Sequence, residues 1–242
     1  MDQPLRIGVL GVAKIATEKV IPAIQSADGA EVVAIASRDL GRAERAARAL
    51  GVSRAWGSYA ALMDDPEVEA VYNPLPNHLH AEWSIASARA GRHVLCEKPL
   101  ARDAIEAQRI VDACEAAGVQ LMEAFMYRMH GSWRRVLDEV RGGRIGQLRA
   151  IQSRFGYFND DPHNIRNIAS FGGGALYDIG CYCVSLSRLL FGEEPAVAGA
   201  AIVRDPDSAT DVLTSATLEF PSGHATFTCS TRTEPDQAVQ IW

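Results

Sequence analysis

The segment Gly8-Val9-Leu10-Gly11-Val12-Ala13-Lys14-Ile15-Ala16 closes an apolar run and opens a stretch with helical spacing. A pyrophosphate meets exposed backbone N–H groups at such a junction. Read from Gly11 the pattern is G-x-A-x-x-A. Gly11 turns the chain, Ala13 stands where a second glycine usually lets phosphates approach, and Ala16 permits close packing of helix on strand. A plain strand-to-helix turn is the competing reading of so short a motif. In a dinucleotide fingerprint an acidic residue at the end of the second strand binds the ribose hydroxyls of NAD, but here that strand ends in Ser37-Arg38. A hydroxyl can hydrogen-bond a 2′-phosphate and a guanidinium can pair with it while stacking on adenine, so NADP is favoured. NAD is the alternative, with Asp39 taking the ribose role one position late.

Polar clusters follow three later strand-like runs. They are Tyr72-Asn73-Pro74-Leu75-Pro76-Asn77-His78-Leu79-His80, Glu97-Lys98-Pro99 and Glu123-Ala124-Phe125-Met126-Tyr127-Arg128. A lysine at the carboxyl edge of a parallel sheet can be held near a nicotinamide; equally, Lys98 can be a surface residue ahead of a proline-started helix. His80 either touches the cofactor or caps the helix after it, with structure the favoured role. No His, Cys, Asp or Glu trio has ligand spacing on one element, so no metal is expected. The five cysteines form no C-x-x-C pair, and Cys181 and Cys183 read as small buried hydrophobes.

The elements that must position these residues alternate. Strands are expected at 5–10, 31–37, 70–73, 93–96 and 120–124, and helices at 13–26, 40–50, 59–63, 80–90 and 101–117. That order predicts a doubly wound parallel sheet of Rossmann type with helices on both faces. Beyond residue 130 the texture changes. A helix at 133–141, a half-exposed antiparallel strand at 148–158, a Gly-rich turn at 172–174 leading into a helix at 177–190, and strands at 197–203, 213–220 and 224–230 make an α+β unit on a mainly antiparallel sheet. The division expected is residues 1–128 for the dinucleotide and 129–242 for substrate and oligomerisation, within an α/β fold class.

With 242 residues, 48% hydrophobic and 22% charged, the chain can close substantial cores. A formal charge of −6 argues against nucleic acid or an anionic membrane as partner. No apolar run is long enough to span a membrane and the N-terminus lacks a signal core, so a cytoplasmic location is expected. The dense arginine run 38–48 reads as a solvated helix face.

With these motifs in view, together with Gly172-Gly173-Gly174-Ala175-Leu176-Tyr177-Asp178-Ile179-Gly180-Cys181-Tyr182, the chain resembles the glucose-fructose oxidoreductase / inositol dehydrogenase (Gfo/Idh/MocA) family along its whole length. Tyrosine at 182, where many members carry histidine, is similar to the branch holding glucose-fructose oxidoreductase, xylose dehydrogenase and dimeric dihydrodiol dehydrogenase. The resemblance implies Lys98 and Tyr182 as the catalytic pair, with Asp178 orienting substrate. Abstraction of a hydroxyl proton during hydride transfer agrees, because an ammonium beside a phenol eases its deprotonation. Spacing alone does not bring residues 98 and 182 together; Asp178 and Tyr182, four apart on a helix, face one way. Candidate cofactor contacts are Gly11, Ala13, Lys14, Ile15, Ser37, Arg38, Asn73, Pro74, Leu75, Asn77, His80, Glu97, Lys98 and Arg128. Candidate substrate contacts are Tyr157, Phe158, His163 and Asp178. The partner expected is a polyol, sugar or dihydrodiol, with a homo-oligomer formed through the second sheet. Relatives usually continue for several more strands, so the second sheet reads as truncated. That leaves a catalytically inactive dinucleotide sensor or partner subunit as the alternative function.

Overall fold

The computed structural model describes residues 3–242, which divide into two compact units, residues 3–124 and Phe125–Trp242. In the first unit six strands alternate with helices: β1 (Leu5–Leu10), a π turn (Ala16–Val20) running into α1 (Ile21–Gln25), β2 (Ala30–Ala36), α2 (Leu40–Leu50), β3 (Arg54–Trp56), α3 (Tyr59–Met63), β4 (Ala70–Asn73), α4 (His80–Arg89), β5 (His93–Cys96), α5 (Ala104–Ala117) and β6 (Leu121–Glu123). Every pairing is parallel and the order is β3-β2-β1-β4-β5-β6. Strand order therefore reverses between β1 and β4, and such a switch point opens a crevice at the carboxyl ends of the strands.

Burial on both faces explains the near-continuous apolar strands. One face packs Ile7, Val9, Val32 and Ile35 against Ala16, Ile21 and Ala47, and the other packs Leu10, Ala34 and Val71 against Tyr59 and Leu62. Three helices start on side-chain caps: Asp39 accepts from Arg42 N–H, Ser58 from Ala61 N–H, and Asp103 from Glu106 N–H. β3 was not expected, because Arg54-Ala55-Trp56 is too short for its period to register.

The second unit holds α6 (Gly131–Arg141), β7 (Ala150–Phe158), a π turn (Leu176–Gly180) continuing into α7 (Cys181–Phe191), β8 (Ala196–Arg204), β9 (Asp211–Phe220), β10 (Gly223–Ser230) and β11 (Arg232–Ile241). Its sheet runs β11-β7-β10-β9-β8. Ile179, Cys183, Leu186 and Leu190 of the helix pack on Ile151, Leu218, Ala225 and Phe227 of the sheet. β7 departs from the expected antiparallel pairing on one side: it runs antiparallel to β11 but parallel to β10. Alternation marks a half-covered strand and carries no information on its neighbours' direction. β11 escaped the sequence reading because it contains Pro235 and three charged residues. The proline lies in the register break between Arg232 and Asp236, where no ladder N–H is required.

Candidate active site

At the end of β1, Gly11 has φ +80°, and its N–H donates to Ala36 O at 2.7 Å. A Cβ there would lie 3.0 Å from Leu75 Cδ2, so the turn needs glycine both for its backbone and for its room. Ala13 is half-buried, Lys14 and Ile15 are exposed, and Ala16 is buried in the core as the fingerprint requires. This bare backbone cradle opening a helix fits a pyrophosphate.

The end of β2 decides how the adenosine side is lined. Ser37 is buried, its hydroxyl accepting from Asp39 N–H at 3.3 Å, while Arg38 is exposed. Asp39 is spent on the helix: its Oδ1 accepts from Arg42 N–H at 3.0 Å as the cap of α2. Arg42, passed over in the sequence as part of a solvated face, turns back and donates from Nη2 to Val12 O at 3.1 Å. The signal was its place in the first turn of α2, where side chains lean toward the strand ends.

The polar cluster after β4 is mostly structural. Asn73 is buried, its Nδ2 donating to His80 O and Ser84 Oγ and its Oδ1 accepting from Leu75 N–H. His80 is buried with Nδ1 2.7 Å from Pro99 O and Nε2 2.7 Å from Leu75 O. Both side chains thus point into the fold: Asn73 ties the turn after β4 to the start of α4, and His80 clasps that turn to Pro99. Desolvation lowers the His80 pKa, outweighing the two carbonyls, which favour its charged form. Pro74 and Leu75 are buried and Asn77 is half-buried. Glu97 accepts from Tyr72 Oη at 2.7 Å, and its N–H donates to Asn73 O, which holds the strand end that presents Lys98.

In the second unit the π turn and α7 bring Asp178 and Tyr182 onto one strand. Asp178 Oδ2 accepts from Tyr157 Oη at 2.6 Å and lies 3.0 Å from Arg166 Nε. The Tyr182 ring meets Phe155 at 5.6 Å, Phe125 at 5.2 Å and Tyr127 at 6.1 Å between centroids. Phe155 and Tyr157 are two apart and share a face of β7, so Asp178 and Tyr182 do look the same way. Burial, then the charge of Asp178, pushes the Tyr157 phenol up, which keeps it a proton donor to that carboxylate. Phe158 is one residue on, hence on the opposite face, and 61% exposed; the structure does not bring it to Asp178. His163 and Arg128 are exposed. Arg166 was missing from the sequence reading, because a loop arginine twelve residues from Asp178 carries no periodic signal.

Among the described residues no group of three or more His, Cys, Asp or Glu side chains could hold a metal ion, and no helix is long and apolar enough to cross a membrane. All five cysteines are free, and burial pushes the Cys96 thiol up to about 12.

Residues 5–125 match the oxidoreductase family with an NAD-binding Rossmann fold (GFO_IDH_MocA), and residues 133–242 match the GFO/IDH/MocA C-terminal domain. The chain belongs to the Gfo/Idh/MocA oxidoreductases. Within that family it is 50% identical over 239 residues to an uncharacterized oxidoreductase of Rhizobium meliloti, covering 98% of this chain and 72% of that one. It is 44% identical over 220 residues to D-xylose 1-dehydrogenase (NADP(+)) 2 of Haloferax volcanii, covering 90% of this chain and 67% of that one. The crystal structure of a 3-ketoreductase from Actinomadura kijaniata, in complex with NADP and TDP-benzene, superposes with a TM-score of 0.93 at 36% identity, covering 99% of this chain and 74% of that one. The chain thus spans roughly two thirds to three quarters of these Gfo/Idh/MocA relatives.

Proposed function

We propose that this oxidoreductase uses NADP and acts on a carbinol carbon of a sugar, a polyol or a dihydrodiol. The observation that carries the cofactor choice is the state of Asp39. Its carboxylate is engaged at the cap of α2, which leaves Ser37 and Arg38 to meet the ribose, with Arg42 alongside on the glycine turn. A 2′-phosphate suits that hydroxyl and guanidinium lining better than a free 2′-hydroxyl does.

When bound, the nicotinamide accepts or returns a hydride. In the oxidising direction the substrate C–H bond breaks with its electron pair leaving as hydride, and the O–H proton passes to the Tyr182 phenolate, returning it to the phenol, while the Lys98 ammonium hydrogen-bonds the developing alkoxide. Asp178, held by Tyr157 and Arg166, orients a neighbouring hydroxyl of the substrate. The aromatic setting of Tyr182 supports this reading, because three rings on its flanks restrict the phenol to few orientations. Assembly through the second sheet belongs to the same proposal and is supported by β8, an edge strand exposed along its length.

The test is a panel of aldoses, polyols and dihydrodiols with NADP and with NAD, followed by absorbance of the reduced cofactor. Turnover with NADP that is lost in both Lys98→Met and Tyr182→Phe is expected. Equal use of both cofactors, or full activity in either variant, overturns the proposal.

A further inference from the structure

The helix running over residues 175–191 starts without a cap of its own. Gly174 O accepts from Asp178 N–H at 3.0 Å, which makes Gly174 the capping position, and it has no side chain to offer. The oxygen comes from elsewhere in the chain. Asp211, at the first position of β9, accepts from Leu176 N–H at 2.7 Å through Oδ2, and the same oxygen accepts from Thr214 Oγ1 at 3.0 Å. A Cβ built on Gly174 would lie 2.0 Å from Asp211 Oδ1. The carboxylate of residue 211 therefore occupies the space that a capping side chain at 174 would fill, and Gly174, at φ +123°, leaves that space open. Asp211 is 9% exposed.

A serine or aspartate at 174 would stabilise the helix just as well locally, but it would tie the helix only to itself. The apolar contacts of Ile179, Cys183 and Leu186 with the sheet are non-directional and resist a small slide weakly. A cap borrowed from β9 fixes the helix start against the sheet, and the Tyr157 bond to Asp178 fixes its next turn against β7. Between the cap and Tyr182 lies the π turn Leu176–Gly180. Loss of its extra residue would rotate everything downstream by about 100° relative to the start, the angle of one residue in an α-helix.

We propose that Asp211 is a positioning residue that sets the register of Asp178 and Tyr182 by capping their helix from the neighbouring sheet. This rests on the reading of Tyr182 as proton carrier given above. The experiment measures kcat across pH 6 to 10, and NADP affinity, for Asp211→Ala, Gly174→Ala and Tyr182→Phe on the best substrate of the panel. Asp211→Ala should lower kcat about 10- to 100-fold with NADP affinity within about twofold of the parent. The loss should shrink toward alkaline pH, where hydroxide substitutes for a misplaced phenolate. Gly174→Ala should reproduce it, because the added methyl must expel the carboxylate, and it carries the test if Asp211→Ala does not fold. A kcat within about twofold of the parent, or a loss equal at every pH as a smaller folded fraction would give, overturns the proposal. Tyr182→Phe separates the two readings: inactive Tyr182→Phe beside active Asp211→Ala sinks the cap alone, and active Tyr182→Phe sinks the proton carrier beneath it.

Discussion

Tyr157 and Asp178 are joined by a 2.6 Å hydrogen bond that links strand β7 to the π turn. The phenol is held protonated by burial and by the carboxylate it serves. Removing it in Tyr157→Phe leaves Asp178 with Arg166, and should lower kcat/KM about tenfold with a stability loss of about 1 to 2 kcal/mol. A folded-state pKa raised above the unfolded value contributes stability that is intact below the unfolded tyrosine value of about 10 and is lost as pH rises further. The difference in Tm between parent and variant should therefore be constant from pH 6 to 9 and shrink above it. A difference that grows with alkalinity would mean that the folded state favours the phenolate, against its reading as a donor to Asp178.

The proposed cofactor site assigns different roles to Arg38 and Arg42. Arg38 is exposed; if it pairs with the 2′-phosphate as proposed, Arg38→Ala should weaken NADP binding about 10- to 100-fold and leave NAD nearly untouched. Arg42 also anchors the glycine turn through Val12 O, so Arg42→Ala should weaken both cofactors. Titration of each variant with NADP and NAD checks this, and identical patterns for the two arginines would defeat it.

Gly11→Ala places a methyl on a left-handed backbone and 3.0 Å from Leu75 Cδ2. A cost of about 1 to 2 kcal/mol in stability is expected, with loss of dinucleotide affinity as the turn widens. Calorimetric unfolding and cofactor titration measure the two effects, and an unchanged affinity would show that the turn does not cradle phosphate.

His80 provides a pH signature. Its folded-state pKa is lowered, by burial above all, so the unfolded state takes up the proton first as pH falls. Its contribution is present above about pH 6.5 and is lost on going below that value. His80→Gln should be less stable at neutral pH and show a flatter stability profile between pH 7 and 5. A profile as steep as the parent's would assign the acid limb to another group.

The sheet of the first unit was legible because parallel strands buried on both faces write themselves as apolar runs, as β1, β4 and β5 do. The glycine turn was legible because its φ restricts the residue type. What escaped were features set by tertiary partners. Asn73 stands among polar residues at a strand end, and only its burial shows that its side chain is engaged within the fold, whereas a structural role for His80 was the favoured reading. Arg42 lies on a helix rich in arginine, and its turn toward Val12 leaves no trace in spacing. The π turn and its cap join residues 174, 176 and 211 across a loop and a strand, a distance over which local pattern is silent. Convergence of Asp178 and Tyr182 on β7, by contrast, followed from a four-residue spacing that survives the change from π to α geometry.

The cysteines, which serve no step of the chemistry, carry a different use. Cys96 and Cys114 are buried in the first unit, Cys183 and Cys229 in the second, and desolvation raises all four thiols. Each is inert to alkylation until its surroundings part. Mass-resolved labelling over time would thus clock the breathing of each half separately, with no probe introduced, and would reveal whether a bound dinucleotide quiets only the half that grips it.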